Sequence, residues 1–436
     1  MLKMGVSTVD ITPPIGIDMI GFSDREPSSI GVHDGLKAIS LVFSDGETKA
    51  ALVSCDLLHM DASLVKMIRA EANTRTNIPE NQITIACTHT HYGPTVGGFG
   101  ATFGAADDVV AYRTSLKFLL AGAIQESFQN LKEAKVGIGW GTSNIGINRR
   151  ERSPDGKIVL GQNPEGPVDR QVGLMKIERS DSDSSSCVVN FACHPVSQAW
   201  RMRLISADYP GKTRDVVGCL TGADFMFLQG ACGNINPVLM DHSYEPARRL
   251  GTQLGCEVVK VWEDIEVSTV KSLALVSETI GIPAYNYGSE QRAEELAREL
   301  ESRIEKLEAE GAKEGSIIWA KRRQKRLLEA LDSWRTGKPM PEIEAEIQAW
   351  KIGDLGIAFA PGEVFNEIGT HIKEHSPFPS TFFVGYANGN VGYIPTPEAY
   401  AEGGYEVEQA CRVSPEAARL IPDKCLELLE NLYQSA

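Results

Sequence analysis

Residues 50–94, AALVSCDLLHMDASLVKMIRAEANTRTNIPENQITIACTHTHYGP, decide the fold class and point to the site. The run AALVSCDLL (50–58) is apolar enough to be a buried strand. Asp61 is a helix N-cap residue, and Leu64, Met67, Ile68 and Glu71 recur at helical spacing until the chain approaches Pro79. ITIAC then starts a second strand. Strand, helix and strand in so short a span predict parallel pairing and an α/β fold. The second strand runs into His-Thr-His. On an extended chain, residues two apart face the same side, so His89 and His91 are expected to reach one object together, as half of a metal site. The alternative is two loop histidines with no shared task.

At 436 residues the chain can form one large domain or two ordinary ones. A net charge of −15 argues against nucleic acid or an anionic bilayer as partner, since either calls for a concentrated basic surface. The start, MLKMGVSTVDITPP, has no apolar stretch of secretory type, and no run of 18 apolar residues occurs anywhere, so no stable membrane insertion is expected. Nine scattered cysteines without a Cys-x-x-Cys pair exclude a zinc ribbon and fit the reducing cytoplasm.

Further along, a helix is expected around 108–133 and a strand near 135–140. A β-hairpin or long loop is expected over 151–167, and a polar loop over 179–186 before the strand CVVNFAC. The stretch 289–350 reads as an inserted helical hairpin. Ala293, Leu296, Leu300, Ile304 and Leu307 form an apolar stripe among many charges, and a second run covers 316–334. Its basic cluster KRRQKR (321–326) is read as a solvated face in so acidic a chain. The hairpin could also join two copies into a homo-oligomer. The glycine run GGFGATFG (97–104) lacks phosphate-loop spacing and reads as a rim over the site or a plain surface loop.

Three more polar residues of metal-binding type follow apolar strands: His194 after VVNFAC, Glu363 after GIAFAPG, and Tyr393 in the loop after FFVGYANGN. In α/β sheets, ligands gather at the C-terminal strand ends. Two imidazoles and a carboxylate are a zinc set that leaves one position open; iron or manganese would also suit.

These blocks resemble the neutral/alkaline non-lysosomal ceramidase family. CTHTHYGP (87–94), NFACHPV (190–196), QGACGNINP (229–237), PGE (361–363) and NGNVGYIPTPEAYAEGGYE (388–406) look like its signature blocks, in family order. GVSTVDITPP and GVHDGLKA (31–38) are similar to its beginning. The resemblance implies a large mixed-sheet catalytic domain, here spanning 1–436 with the helical insertion; the extra C-terminal β-domain of the family's full-length members is not expected, a departure from the family, because the chain ends soon after the last block. The resemblance also implies a zinc amidohydrolase that cleaves an N-acyl bond by attack of metal-bound water, with one Zn2+ per chain held by His89, His194, Glu363 and Tyr393. His91 would face the substrate carbonyl. Arg149, with Arg150 as fallback, and Tyr405 would line the site. Asn236 stands where the family has a serine.

That departure, together with the lack of a signal, leaves the substrate open between ceramide and a small soluble acyl amide or ester, such as an acylated sugar. Two rivals remain. One is a cysteine hydrolase built on Cys232 with His194 as base. The other is a non-catalytic metal-binding protein, which Asn236 would fit.

Overall fold

The computed structural model describes residues 1–96, 107–180 and 185–435. The glycine run 97–104 and the centre of the polar loop 179–186 lie outside them. Among the described residues the main sheet has nine strands. Across it run Asp224–Gln229, Ser185–Phe191, Gln171–Arg179, Lys132–Thr142, Lys3–Asp10, Lys37–Ser44, Lys49–Cys55 and Ile83–Cys87, with Ser268–Thr269 attached to Lys132–Thr142. The strands Lys49–Cys55 and Ile83–Cys87 are parallel, Ala51 opposite Ile83, as the strand–helix–strand reading expects. The helix between them, Ala62–Thr76, is capped by Asp61, whose carboxylate accepts the Leu64 N–H at 2.8 Å.

A second sheet of Leu273–Pro283, Glu342–Ile352, Leu355–Phe359 and Ser380–Val384 packs against the first. The period-two alternation of each strand builds the layers. Leu52 and Val188 enter the core between the sheets with Trp350, Phe359 and Phe382. Their neighbours Val53 and Val189 face outward onto Leu64, Ile68, Leu116 and Leu254 of the covering helices. The far side of the second sheet is covered by helices Asn366–His375 and Ala417–Gln434, through Ile372 and Leu428 against Ile347 and Phe383. The order is helix, sheet, sheet, helix. Strands buried on both faces explain the unbroken apolar runs in the sequence.

Residues 151–167 contribute to a hairpin that starts earlier than expected, with Gly146–Arg152 antiparallel to Ile158–Asn163. The helical insertion consists of Glu290–Ala309 and Glu314–Thr336. Its apolar stripe is used within the hairpin, where Ala293, Leu296, Leu300 and Ile304 close on Ala320, Leu327 and Leu331. The expectation of helix up to residue 350 is corrected: Glu342–Ile352 is a strand, paired with Leu273–Pro283. EIEAEIQA alternates charged and apolar residues in steps of two, which is strand periodicity. Among the described residues no helix is long and apolar enough to cross a membrane.

Candidate metal centre

The strand ends carrying the expected ligands meet where the two sheets abut. The loop after Ser380–Val384 is stitched onto the strand Ile83–Cys87: Cys87 N–H donates to the Tyr386 carbonyl at 3.2 Å, and Asn388 N–H to that of Ile85 at 2.8 Å. The Asn388 side chain completes the seam by accepting from Ile85 N–H at 3.0 Å. Glu363 and Tyr393 sit opposite each other in a two-residue parallel ladder. Gly362 turns the chain into Glu363 at φ +135°, and a Cβ there would lie 2.7 Å from the Gly392 carbonyl oxygen.

His89 Nε2 and His194 Nε2 each lie 3.3 Å from Oε2 of Glu363, and His91 Nε2 lies 3.3 Å from His89 Nε2. Ligand atoms of the three histidines fall within 4.8 Å of one another. Each imidazole is oriented from behind by a backbone carbonyl: Leu58 for His89 at 2.8 Å, Gly21 for His91 at 3.0 Å, Cys232 for His194 at 2.6 Å. A carbonyl can only accept, so each Nδ1 carries the proton and each Nε2 presents a lone pair. Lone pairs and a carboxylate oxygen converging on one point repel unless a cation sits among them. The donor set therefore fits a divalent metal, with second-sphere carbonyls fixing the rings.

The protonation states agree. Burial, then the field of Arg149, lowers His194 to about 4. Burial, reinforced by His89, holds His91 well below its usual range. For Glu363 burial pushes upward, but His89 and His194 outweigh it and keep the carboxyl ionised. A neutral His91 and His194 beside an ionised Glu363 are forms ready to bind metal.

The reason for the His89–His91 meeting differs from the sequence expectation. The strand ends at Cys87 and His89 is left-handed, at φ +69°, so the two histidines do not share a face of an extended chain. A turn brings their rings to 4.9 Å in a T-shaped contact. Such a conformation is sparsely populated for a residue other than glycine and clusters at functional sites.

Arg149 bridges the remaining site residues. It donates to Glu406 at 2.8 Å, to Asn236 Oδ1 at 3.2 Å and to the Tyr393 hydroxyl at 3.0 Å, and lies 3.5 Å from His194 Nε2. Its guanidinium also lies over the rings of Tyr393 and Tyr405. Arg150 turns instead to Glu406, Glu402 and the Gly403 carbonyl. Burial raises Tyr405 to about 12 and Tyr393 well above its usual value, so both hydroxyls keep their protons. Cys232 is buried and its thiol pushed up by burial; its Sγ contacts the Tyr386 hydroxyl at 3.0 Å, while His194 Nδ1 faces its carbonyl. No thiolate is available there for a nucleophilic role.

Sequence reasoning passed over His59, which lies buried beside the ligands in the same cavity with no hydrogen-bond partner for Nε2. It obeys the same rule as the others, a histidine just past an apolar strand, and could have been found that way. Glu406, next to Tyr405 in GGYE, was also passed over. The hairpin was read as a peripheral insertion, yet Ile318 and Trp319 of its second helix line the metal cavity, a space of about 170 Å³. No periodicity announces that.

Residues 2–217 match the family described as neutral/alkaline non-lysosomal ceramidase, N-terminal. The neutral ceramidase of Pseudomonas aeruginosa is 22% identical, over 93% of this chain and 68% of its own length. That of Mycobacterium tuberculosis is also 22% identical, over 93% of this chain and 73% of its own. In three dimensions the crystal structure of the Pseudomonas aeruginosa enzyme superposes with a TM-score of 0.73 at 18% identity, over 99% of this chain and 74% of that one. A ceramidase complexed with C2 gives 0.75 at 18% identity, over 99% of this chain and 75% of that one.

Proposed function

Because the chain belongs, through residues 2–217, to the neutral/alkaline non-lysosomal ceramidase family, we propose that it is a metal-dependent amidohydrolase that cleaves an N-acyl bond. The observation that carries this reading is the convergence of His89 and His194 on Glu363, with every Nδ1 tied back to a carbonyl. His89, His194, Glu363 and Tyr393 would hold one metal ion per chain. Two imidazoles with oxygen donors and no thiolate favour zinc. A bound metal supplies polarisation of the scissile carbonyl and a water activated near neutral pH.

The chain's own residues do the rest. His91, with a bare Nε2, takes a proton from the attacking water and returns it toward the leaving amine. Arg149 offers N–H groups to the oxygen on which negative charge develops, and Asn236 and Glu406 orient it. Tyr405 holds its proton at neutral pH and is a second donor to the leaving group. We read residues 1–436 as one catalytic unit roofed by the hairpin. Nine free cysteines, most of them buried, support a reducing compartment.

The substrate reading is a soluble acyl compound rather than long-chain ceramide. The space of about 170 Å³ beside Ile318 and Trp319 shares His91, Tyr393 and Tyr405 with a second one of about 570 Å³, where Arg149, Gln162, Asn236 and Arg323 supply polar groups suited to a polar acyl amide. Turnover of short-chain acyl amides, acylated sugars and long-chain ceramide by one zinc-loaded preparation tests this. The soluble amides are expected to be cleaved faster. Efficient cleavage of ceramide with the soluble compounds inert would return the substrate to ceramide. No cleavage of any of them, with metal bound, would remove the hydrolase reading.

A further inference from the structure

One short segment, residues 20–26, holds His91 from three directions. The Gly21 carbonyl accepts its Nδ1–H at 3.0 Å, and the Phe22 ring lies beside the imidazole with centroids 5.0 Å apart. Arg25 grips the backbone: one terminal nitrogen donates to the His91 carbonyl at 2.7 Å and the other to the Ile20 carbonyl at 2.6 Å. Its guanidinium also lies over the rings of Phe22 and Tyr92. Arg25 is only 3% exposed. Burying a guanidinium is unfavourable unless its donors are met, so an apolar residue would fill that space more readily. What the arginine adds is geometry, a planar fork that fixes the His91 carbonyl relative to the residue just before Gly21.

The helical hairpin rests on the same segment. Lys313, between its two helices, donates to the Asp24 carbonyl at 2.7 Å and lies 3.2 Å from the Glu26 carboxylate. Ser316 donates to the Asp24 carboxylate at 3.0 Å. The residues on either side of Arg25 are therefore held by the hairpin, while Arg25 itself holds His91. Gly21 and Phe22 of the segment, and Ile318 and Trp319 of the hairpin, line the same cavity as His91. A substrate seated there lies against both.

We propose that residues 20–26 are a strap that couples the seating of the hairpin to the aim of His91, with Arg25 as its positioning residue. This rests on the hydrolase reading and explains what keeps its proton-transfer group in place. With the hairpin seated, Lys313 and Ser316 hold residues 24 and 26, and Arg25 keeps its two carbonyls in register. The Gly21 carbonyl then stays on Nδ1, and Nε2 points toward His89. A misplacement of about 1 Å in such a group can cost roughly a hundredfold in rate.

The test uses zinc-loaded full-length protein with Arg25→Ala and Lys313→Ala, checking metal content and melting temperature for each. Kinetics on the best cleaved of the short-chain acyl amides, acylated sugars and long-chain ceramide are paired with hydrogen exchange. Exchange is followed at the Ile20 and His91 amides, which donate to the carbonyls of Gly93 and Pro195. Arg25→Ala is expected to lower kcat about a hundredfold with little change in KM, and to speed exchange at both amides. Arg25→Lys, which can keep one carbonyl bond, should recover part of the rate, as should millimolar guanidinium added to Arg25→Ala. Lys313→Ala, at the surface, should lower kcat about two- to fivefold, the reach of an exposed ion pair, and speed exchange at Ile20. Exchange or kcat like the parent's in either metal-loaded variant overturns the proposal. So does a failure of both lysine and guanidinium to recover any rate, which would make Arg25 a purely structural residue. Where Arg25→Ala does not fold or loses its metal, Lys313→Ala decides by the same two readings. If the parent cleaves none of the compounds, the hydrolase reading falls, and exchange alone supports or overturns the strap.

Discussion

The Nδ1–H of His194 donates to the carbonyl oxygen of Cys232 at 2.6 Å, across 38 residues of chain. That bond ties the strand end of Ser185–Phe191 to the turn after Asp224–Gln229, whose strands are parallel neighbours. It sets the ring plane and the tautomer together, so Nε2 presents its lone pair on the side of Glu363 and Arg149. Cys232 acts through its backbone, which explains how a buried thiol can lie beside such a site without taking part in its chemistry.

Metal removal is the first check. Dialysis against a chelator should abolish hydrolysis and lower the melting temperature, and zinc should restore both. A metal that binds only the folded chain stabilises it by about 2.7 kcal/mol at a hundredfold excess over its dissociation constant. Elemental analysis should find one equivalent per chain. A chain that stays folded and takes up no zinc would contradict the site.

Histidine roles separate by metal content. His89→Ala and His194→Ala should lose both metal and activity. His91→Ala should keep the metal and lose roughly a hundred- to ten-thousandfold in kcat, as for other groups that move a proton in the transition state. Loss of metal in the His91 variant, measured on the same samples, would make His91 a ligand.

Glu406 is buried between Arg149 and Arg150, at 2.8 Å from each. Glu406→Gln should destabilise the protein by about 3 kcal/mol or more, because buried guanidinium groups lose their counter-charge. Burial raises the Glu406 pKa, but the two arginines outweigh it and hold it below the ordinary value. A carboxyl depressed in the folded state stabilises above its unfolded pKa, about 4.3, and the benefit fades as pH falls through the lower folded value. Denaturant titrations should therefore show a gap between parent and variant that is full at pH 7 and shrinks only below about pH 4.

Gly21 has φ +121°, and a Cβ there would lie 2.7 Å from Nδ1 of His91. Gly21→Ala should cost on the order of 1–3 kcal/mol through backbone strain. It should also displace His91, and a shift of about 1 Å can cost roughly a hundredfold in rate. Unchanged kcat in a folded Gly21→Ala variant would show that His91 is not positioned through this contact.

The candidate ligands were legible because strand-forming residues and ligand-forming residues alternate along the chain. An apolar run followed by His89, His194 or Glu363 is a local pattern, and so are the Asp61 cap and the parallel pair around it. Local pattern also misled. His89 and His91 meet through a left-handed turn and not along a strand, and residues 342–350 continued a helix-rich stretch while following strand periodicity.

What the sequence determined by itself was the strand–helix–strand unit of 50–88, the two hairpin helices and the residue types that follow several apolar strands, since each depends on neighbours a few positions away. Tertiary structure alone decided three things: the carbonyls that orient the imidazoles, the buried Glu406 that holds Arg149, and the placement of Ile318 and Trp319 in the lining of the candidate metal cavity. Each is a contact between segments tens to hundreds of residues apart. Which distant surfaces meet is set by the packing of two sheets and their helices as a whole, and no local periodicity carries that information.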